Sequence, residues 1–156
     1  MRIQHAIEAF ADQLRARGRS PKTVYGYTKE LKRFSAFVAK QINADVYVSD
    51  ITLALIDAYQ RDQTERGLEP PSRYSFVNAI RTFFKFAAKR GIAQVDLGAQ
   101  TDTVFIPKKE RQALSDAEVE TLKSKITKPL LKTLFLTLLN TGLRISEALE
   151  LKTADI

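Results

Sequence analysis

The chain has 156 residues, 44% apolar and 28% charged, which fits a globular protein of one domain, or one domain and part of a second. With no cysteine and a single histidine, disulfides, thiolate metal sites and His-rich metal sites are excluded. Twenty-five Lys and Arg against 18 Asp and Glu give a net charge of +7, a balance that favours polyanionic partners such as DNA, RNA or an acidic membrane.

No apolar run approaches the roughly 20 residues that span a bilayer. The polar start after Met1 and Arg2 has no secretory apolar segment. The expected location is therefore cytoplasmic, with no membrane partner.

Apolar spacing is helical almost throughout. A first helix is predicted from about Ile3 to Arg17, with Ile7, Phe10, Ala11 and Leu14 on one face, closed by Gly18. Ser20-Pro21 supplies an N-cap and a first-turn proline. The second helix then runs to about Lys40 with Val24, Tyr27, Leu31, Phe34 and Val38 inward. After an irregular stretch over 41–51, Thr52 is expected to cap a third helix through Leu53, Ile56 and Tyr59, which Gly67 closes. Pro70-Pro71 breaks the chain and opens a fourth helix with Phe76, Val77, Ile80, Phe83, Phe84 and Ala87 inward, ended by Gly91.

Residues 92–113 change character and read as a linker, in which Val104-Phe105-Ile106 is either a short strand or a docked extended segment. Ser115 with Glu118 is a capping-box pattern, predicting a helix from Asp116 to about Ile126. Pro129 opens a strongly apolar helix through Leu130, Leu131, Leu134, Phe135, Leu138 and Leu139. Thr141-Gly142 interrupts it, and a short helix over about 144–150 follows. The reading is all-α: a four-helix unit over 1–95, a linker over 96–113 and a second unit over 114–156. The second unit is too short to bury a stable core alone, so it is expected to be the start of a larger domain.

The positive charge is local. Residues 15–40 carry eight basic side chains against Glu30 alone, and residues 73–90 carry five and no acid. On the second helix Lys22, Lys29, Arg33 and Lys40 fall within about 20° of one line, opposite the apolar face. Gly26 and Ala36 lie near that line. On the fourth helix Tyr74, Arg81, Lys85 and Lys89 form a second row, with Arg73 and Asn78 on the same helix. Solvated helix faces ordinarily mix signs, whereas such rows neutralise phosphates. Each row also reads as an ordinary exposed face; two in one unit favour nucleic acid. Lys108 and Lys109 add charge in the linker.

The sharpest motif is Thr141-Gly142-Leu143-Arg144-Ile145-Ser146-Glu147, followed by Ala148, Leu149, Leu151 and Asp155-Ile156. An arginine in the first turn of a helix opposes the dipole, yet that place also directs its guanidinium and nearby backbone N–H groups to one spot, where a phosphate fits. Taken alone, Arg144 with Glu147 reads as a surface i,i+3 ion pair worth about 0.2–0.5 kcal/mol.

This run resembles the first catalytic-arginine motif of the tyrosine recombinases, the phage integrase family. Leu114 to Val119 is similar to that family's entry into its catalytic domain. Ser20, Thr23, Tyr27, Leu31 and Phe34, and Phe76, Ile80, Phe83, Phe84 and Ala87 ahead of Gly91, resemble the second and last helices of its SAM-like core-binding domain. The resemblance implies an all-α, SAM-like four-helix core-binding bundle, a linker, and the first helices of a truncated α+β catalytic domain.

It implies a double-stranded DNA partner, no cofactor, metal or small-molecule ligand, and site-specific recombination through a phosphotyrosyl intermediate. Arg144 would be the first phosphate-clamping arginine and Glu147 its supporting acid. Lys22, Thr23, Lys29, Arg33, Lys40, Arg73, Tyr74, Arg81, Lys85, Lys89, Lys108 and Lys109 would be DNA contacts. The family assembles as a tetramer on DNA, and a monomer free in solution is expected here, associated with the nucleoid.

The family's hairpin lysine, His-x-x-Arg motif and tyrosine nucleophile follow the first arginine, and the sequence ends twelve residues after Arg144. All five tyrosines lie in the first unit, and His5 matches nothing catalytic. Binding without cleavage is therefore expected. Two other readings stand beside this one: a DNA-binding regulator with residues 130–151 as a helix-turn-helix, and a basic helical module for an acidic protein partner.

Overall fold

In the computed structural model, which describes residues 1–108, 110, 112–152 and 155, helix boundaries fall where local chemistry sets them. Helix α1 spans Ile3–Ala16 and α2 Pro21–Ile42. Ser20 caps α2, its Oγ accepting from the Thr23 N–H at 3.2 Å, and Pro21 opens the first turn without a wasted donor. Asn43, at φ +51, ends it in the left-handed region that asparagine tolerates. Thr52 caps α3, Leu53–Glu65, by accepting from the Leu55 N–H. Helix α4 spans Pro70–Lys89.

The core lies between these four helices. Phe10 of α1 meets Tyr27 of α2 and Phe83 and Phe86 of α4, with ring centroids 5.4–6.1 Å apart. Phe34, Tyr59 and Phe76 form a second aromatic cluster at 4.7–5.5 Å that joins α2, α3 and α4. Phe10, Phe34, Phe76 and Phe83 are fully buried and Phe86 nearly so, and burial of such a side chain contributes about 1.5–3 kcal/mol. The chain start is pinned as well. Ile3 N–H donates to Val46 C=O and Val48 N–H to Met1 C=O, both at 3.0 Å, making an isolated antiparallel bridge between Arg2 and Tyr47.

The stretch after α4 differs from a plain linker. Leu97–Gln100 forms a helical turn, α5, which Asp96 caps through the Ala99 N–H. Gly98 is buried directly against the backbone of Arg81, so α5 packs closely onto α4. Val104 packs on the core while Phe105 is exposed; there is no strand at 104–106.

The chain divides into two compact units, Met1–Lys108 and Lys109–Ile156. The second holds α6 (Asp116–Lys125), α7 (Pro129–Thr141) and α8 (Ile145–Leu149). Ser115 and Glu118 form the reciprocal capping box at α6, and Gly142 at φ +67 ends α7. No described residue of α6, α7 or α8 is buried, and Leu130, Ile145 and Leu149 stand well exposed. No helix of the described residues is long and apolar enough to cross a membrane.

Candidate nucleic-acid interface

On α2, Lys22, Lys29 and Lys40 are exposed, and no carboxylate pairs with them among the described residues. Lys29 holds its ammonium 5.8 Å from the centre of the Tyr25 ring, a cation–π contact. Tyr25 itself is 65% exposed, so the outward face carries an aromatic ring that the charge pattern did not single out. Its signal was its position beside the Lys22–Lys29 line.

Arg33 differs from its row-mates. Its Nη1 donates to Glu30 Oε1 at 2.9 Å, and both residues line a groove between α2 and α3. Thr23 is half-buried and its hydroxyl is bonded to that of Ser20 at 2.9 Å, so that hydroxyl is already engaged in the helix cap.

On α4, Tyr74, Arg81, Lys85 and Lys89 are exposed, and the three cations have no carboxylate partner among the described residues. Asn78 donates through Nδ2 to the Tyr27 hydroxyl at 3.2 Å, tying the face of α4 to α2. The two helices also share much of the core, which fixes one row against the other. Arg73 stands apart. Its Nη1 donates to Thr64 Oγ1 of α3 at 2.7 Å and its Nε is buried without a partner, so it bridges α3 and α4 instead of joining the outward row. Lys108 is exposed in the segment after α5, and Lys109 lies outside the described residues.

In the second unit, Arg144 is the N-cap of α8, with extended backbone, one position ahead of the helix where the sequence placed it. Gly142 turns the chain, Leu143 N–H donates to Thr141 Oγ1 at 3.3 Å, and the helix starts at Ile145. Glu147 reaches back to accept twice from Arg144, from the backbone N–H at 2.8 Å and from Nη1 at 2.9 Å. These bonds hold its carboxyl below the usual range, the backbone N–H acting most strongly and the guanidinium next. The Arg144 side chain is 83% exposed, leaving its other donors open to solvent. This is one positioned cation beside a turn, able to bind an oxyanion. No cluster of three or more metal-binding side chains occurs among the described residues. His5 is exposed on α1.

A family model described as the phage integrase N-terminal SAM-like domain matches residues 7–91. The tyrosine recombinase XerD of Proteus mirabilis is 29% identical over 157 residues, covering 96% of this chain and 49% of that protein. A tyrosine recombinase of Thermosipho africanus is 27% identical, covering 99% of this chain and 56% of that protein. The chain thus spans about half the length of these relatives. Among solved structures, a lambda integrase (75-356) dimer bound to a COC' core site superposes with a TM-score of 0.82, at 21% identity, over 100% of this chain and 55% of that one.

Proposed function

The chain belongs to the tyrosine recombinase (phage integrase) family through its N-terminal SAM-like domain, and from that premise we propose that it binds duplex DNA with the outward faces of α2 and α4, in the service of site-specific recombination. One observation carries this reading: two rows of cations free of carboxylates among the described residues, Lys22, Lys29 and Lys40 on α2 and Arg81, Lys85 and Lys89 on α4, sit on adjacent helices locked by the Tyr27–Asn78 bond. An α-helix fits the major groove, and exposed cations along it neutralise phosphates and release counterions. Lambda integrase, similar in fold, was solved bound to a DNA core site. Tyr25 and Tyr74 add hydroxyls suited to phosphate oxygens.

Arg144 is assigned to grip a backbone phosphate. Glu147 occupies one edge of its guanidinium and the backbone N–H behind it, so the remaining N–H donors are presented in a fixed fork. Such a fork stabilises the charge that builds on phosphoryl oxygens in a transition state. No tyrosine of the first unit is assigned as the nucleophile.

The test is binding of a labelled DNA duplex at several salt concentrations. Affinity should fall steeply, with log K losing about 0.9 per phosphate contact for each decade of salt. The triple variant K29E/R81E/K85E should abolish binding at unchanged helix content. Salt-independent binding, or a triple variant that binds like the parent, would overturn the proposal.

A further inference from the structure

Resting on the DNA reading above, we propose that the groove between α2 and α3 grips a second stretch of the same duplex's phosphate backbone, and that Arg66 is a contact there. The groove encloses about 430 Å³ and is rimmed by Arg33 and Lys40 of α2 and by Arg66 at the C-cap of α3, over a floor that includes Tyr59. Arg33 and Lys40 belong to the outward row of α2, so the groove continues that row sideways toward α3.

Two carboxylates enter the groove, and each is bound to an arginine of its own helix. Glu30 holds Arg33 Nη1 at 2.9 Å, and Asp62 holds Arg66 Nη1 at 3.1 Å. Glu30 is the more enclosed, its side chain 14% exposed, while both arginines stay more than half exposed. A guanidinium has five N–H donors. Giving one to a carboxylate leaves the others for a phosphate and fixes the fork, so less rotamer freedom is lost on binding.

The three cations and two acids leave one positive charge, matching the single negative charge of a phosphodiester. Lys40 has no carboxylate partner among the described residues and supplies that surplus. A neutral ligand would leave that surplus charge unmatched.

The decisive variant is R66Q/D62N, which removes the arginine and its carboxylate together and leaves net charge unchanged. A labelled random-sequence DNA duplex is titrated at several salt concentrations with the parent, R66Q/D62N, R66K, and K85Q from the α4 row. Loss of one phosphate contact lowers the salt slope by about 0.9 in R66Q/D62N, whereas R66K, which keeps a cation, retains the parent slope. A general field effect would leave the charge-neutral variant unchanged. A thermal midpoint equal to the parent's shows that a fall in slope is not a folding defect. If R66Q/D62N keeps the parent slope while K85Q loses its contact, the groove is not a contact and the α2–α4 reading survives. If the parent itself shows no salt dependence, both readings fall.

Discussion

Replacing Gly98 with alanine sets two effects of opposite sign against each other. Gly98 sits inside the short helix α5, where alanine is intrinsically better by about 1 kcal/mol. But a Cβ built there lies 2.6 Å from Arg81 Cα, 2.7 Å from its carbonyl oxygen and 3.0 Å from its carbonyl carbon. All three are backbone atoms of α4, which no side-chain rotation can move. Overpacking of this kind costs about 1–3 kcal/mol, and the upper part of that range applies because relief requires lifting α5 and uncovering Thr101 and Leu97. The net expectation is a loss of about 1–2 kcal/mol, or roughly 4–8 °C in Tm.

Gly26 is the control. It lies in the middle of α2 with nothing within 4 Å of an added Cβ, so G26A should gain about 0.5–1 kcal/mol. The assay is thermal unfolding followed by tyrosine near-UV circular dichroism. All five tyrosines lie between residues 25 and 74 and there is no tryptophan, so the signal reports the first unit alone. G98A melting at or above the parent would refute the close packing of α5 on α4.

Other outcomes follow from the same contacts. F10A removes the ring that joins α1, α2 and α4 and should destabilise the first unit by about 3–5 kcal/mol in urea unfolding. Deleting Met1 to Ile3 breaks the bonds to Val46 and Val48 and uncovers the core, so it should lower the same midpoint and speed amide exchange at Val46 and Val48. Glu118 is held below its ordinary value of 4.5, chiefly by the Ser115 N–H and then by its hydroxyl. A depressed carboxyl stabilises above its unfolded value and loses that contribution as pH falls through its folded one. Helicity of α6 should therefore decline in acid below about pH 4.5 in the parent, and E118Q should flatten that limb of the circular-dichroism profile.

Helices were legible because their ends are written locally. Ser20, Thr52 and Ser115 cap as their types require, and Gly67 and Gly142 carry the positive φ at which α3 and α7 stop. Apolar periodicity found the core face of α4 because six residues repeat at helical spacing. What escaped depends on distant partners. Helix α5 has only four residues, too few for a periodic signal, and exists because Gly98 fits against Arg81.

The partner of Arg73 was equally hidden, whereas that of Arg33 lies one helical turn away on the same helix. Spacing set Arg33 on the outward line, but Glu30, three residues away, draws it into the groove. Arg73 shares a helix with the α4 row, and only folding brings Thr64 within reach of its guanidinium. The Arg144 turn was legible as a motif. Its setting one residue ahead of the helix was not, because the return bond from Glu147 to the Arg144 backbone decides it.

Duplex DNA held on the outward faces of α2 and α4 would perturb the backbone there first. Backbone amide shifts of the labelled protein, recorded while a DNA duplex is added, test this most directly. The largest shifts are expected at Lys22, Tyr25, Lys29, Tyr74, Asn78, Arg81 and Lys85, fading as salt is raised. Shifts concentrated on the exposed, acidic side of α1 at Glu8 and Asp12, or none at all, would contradict it.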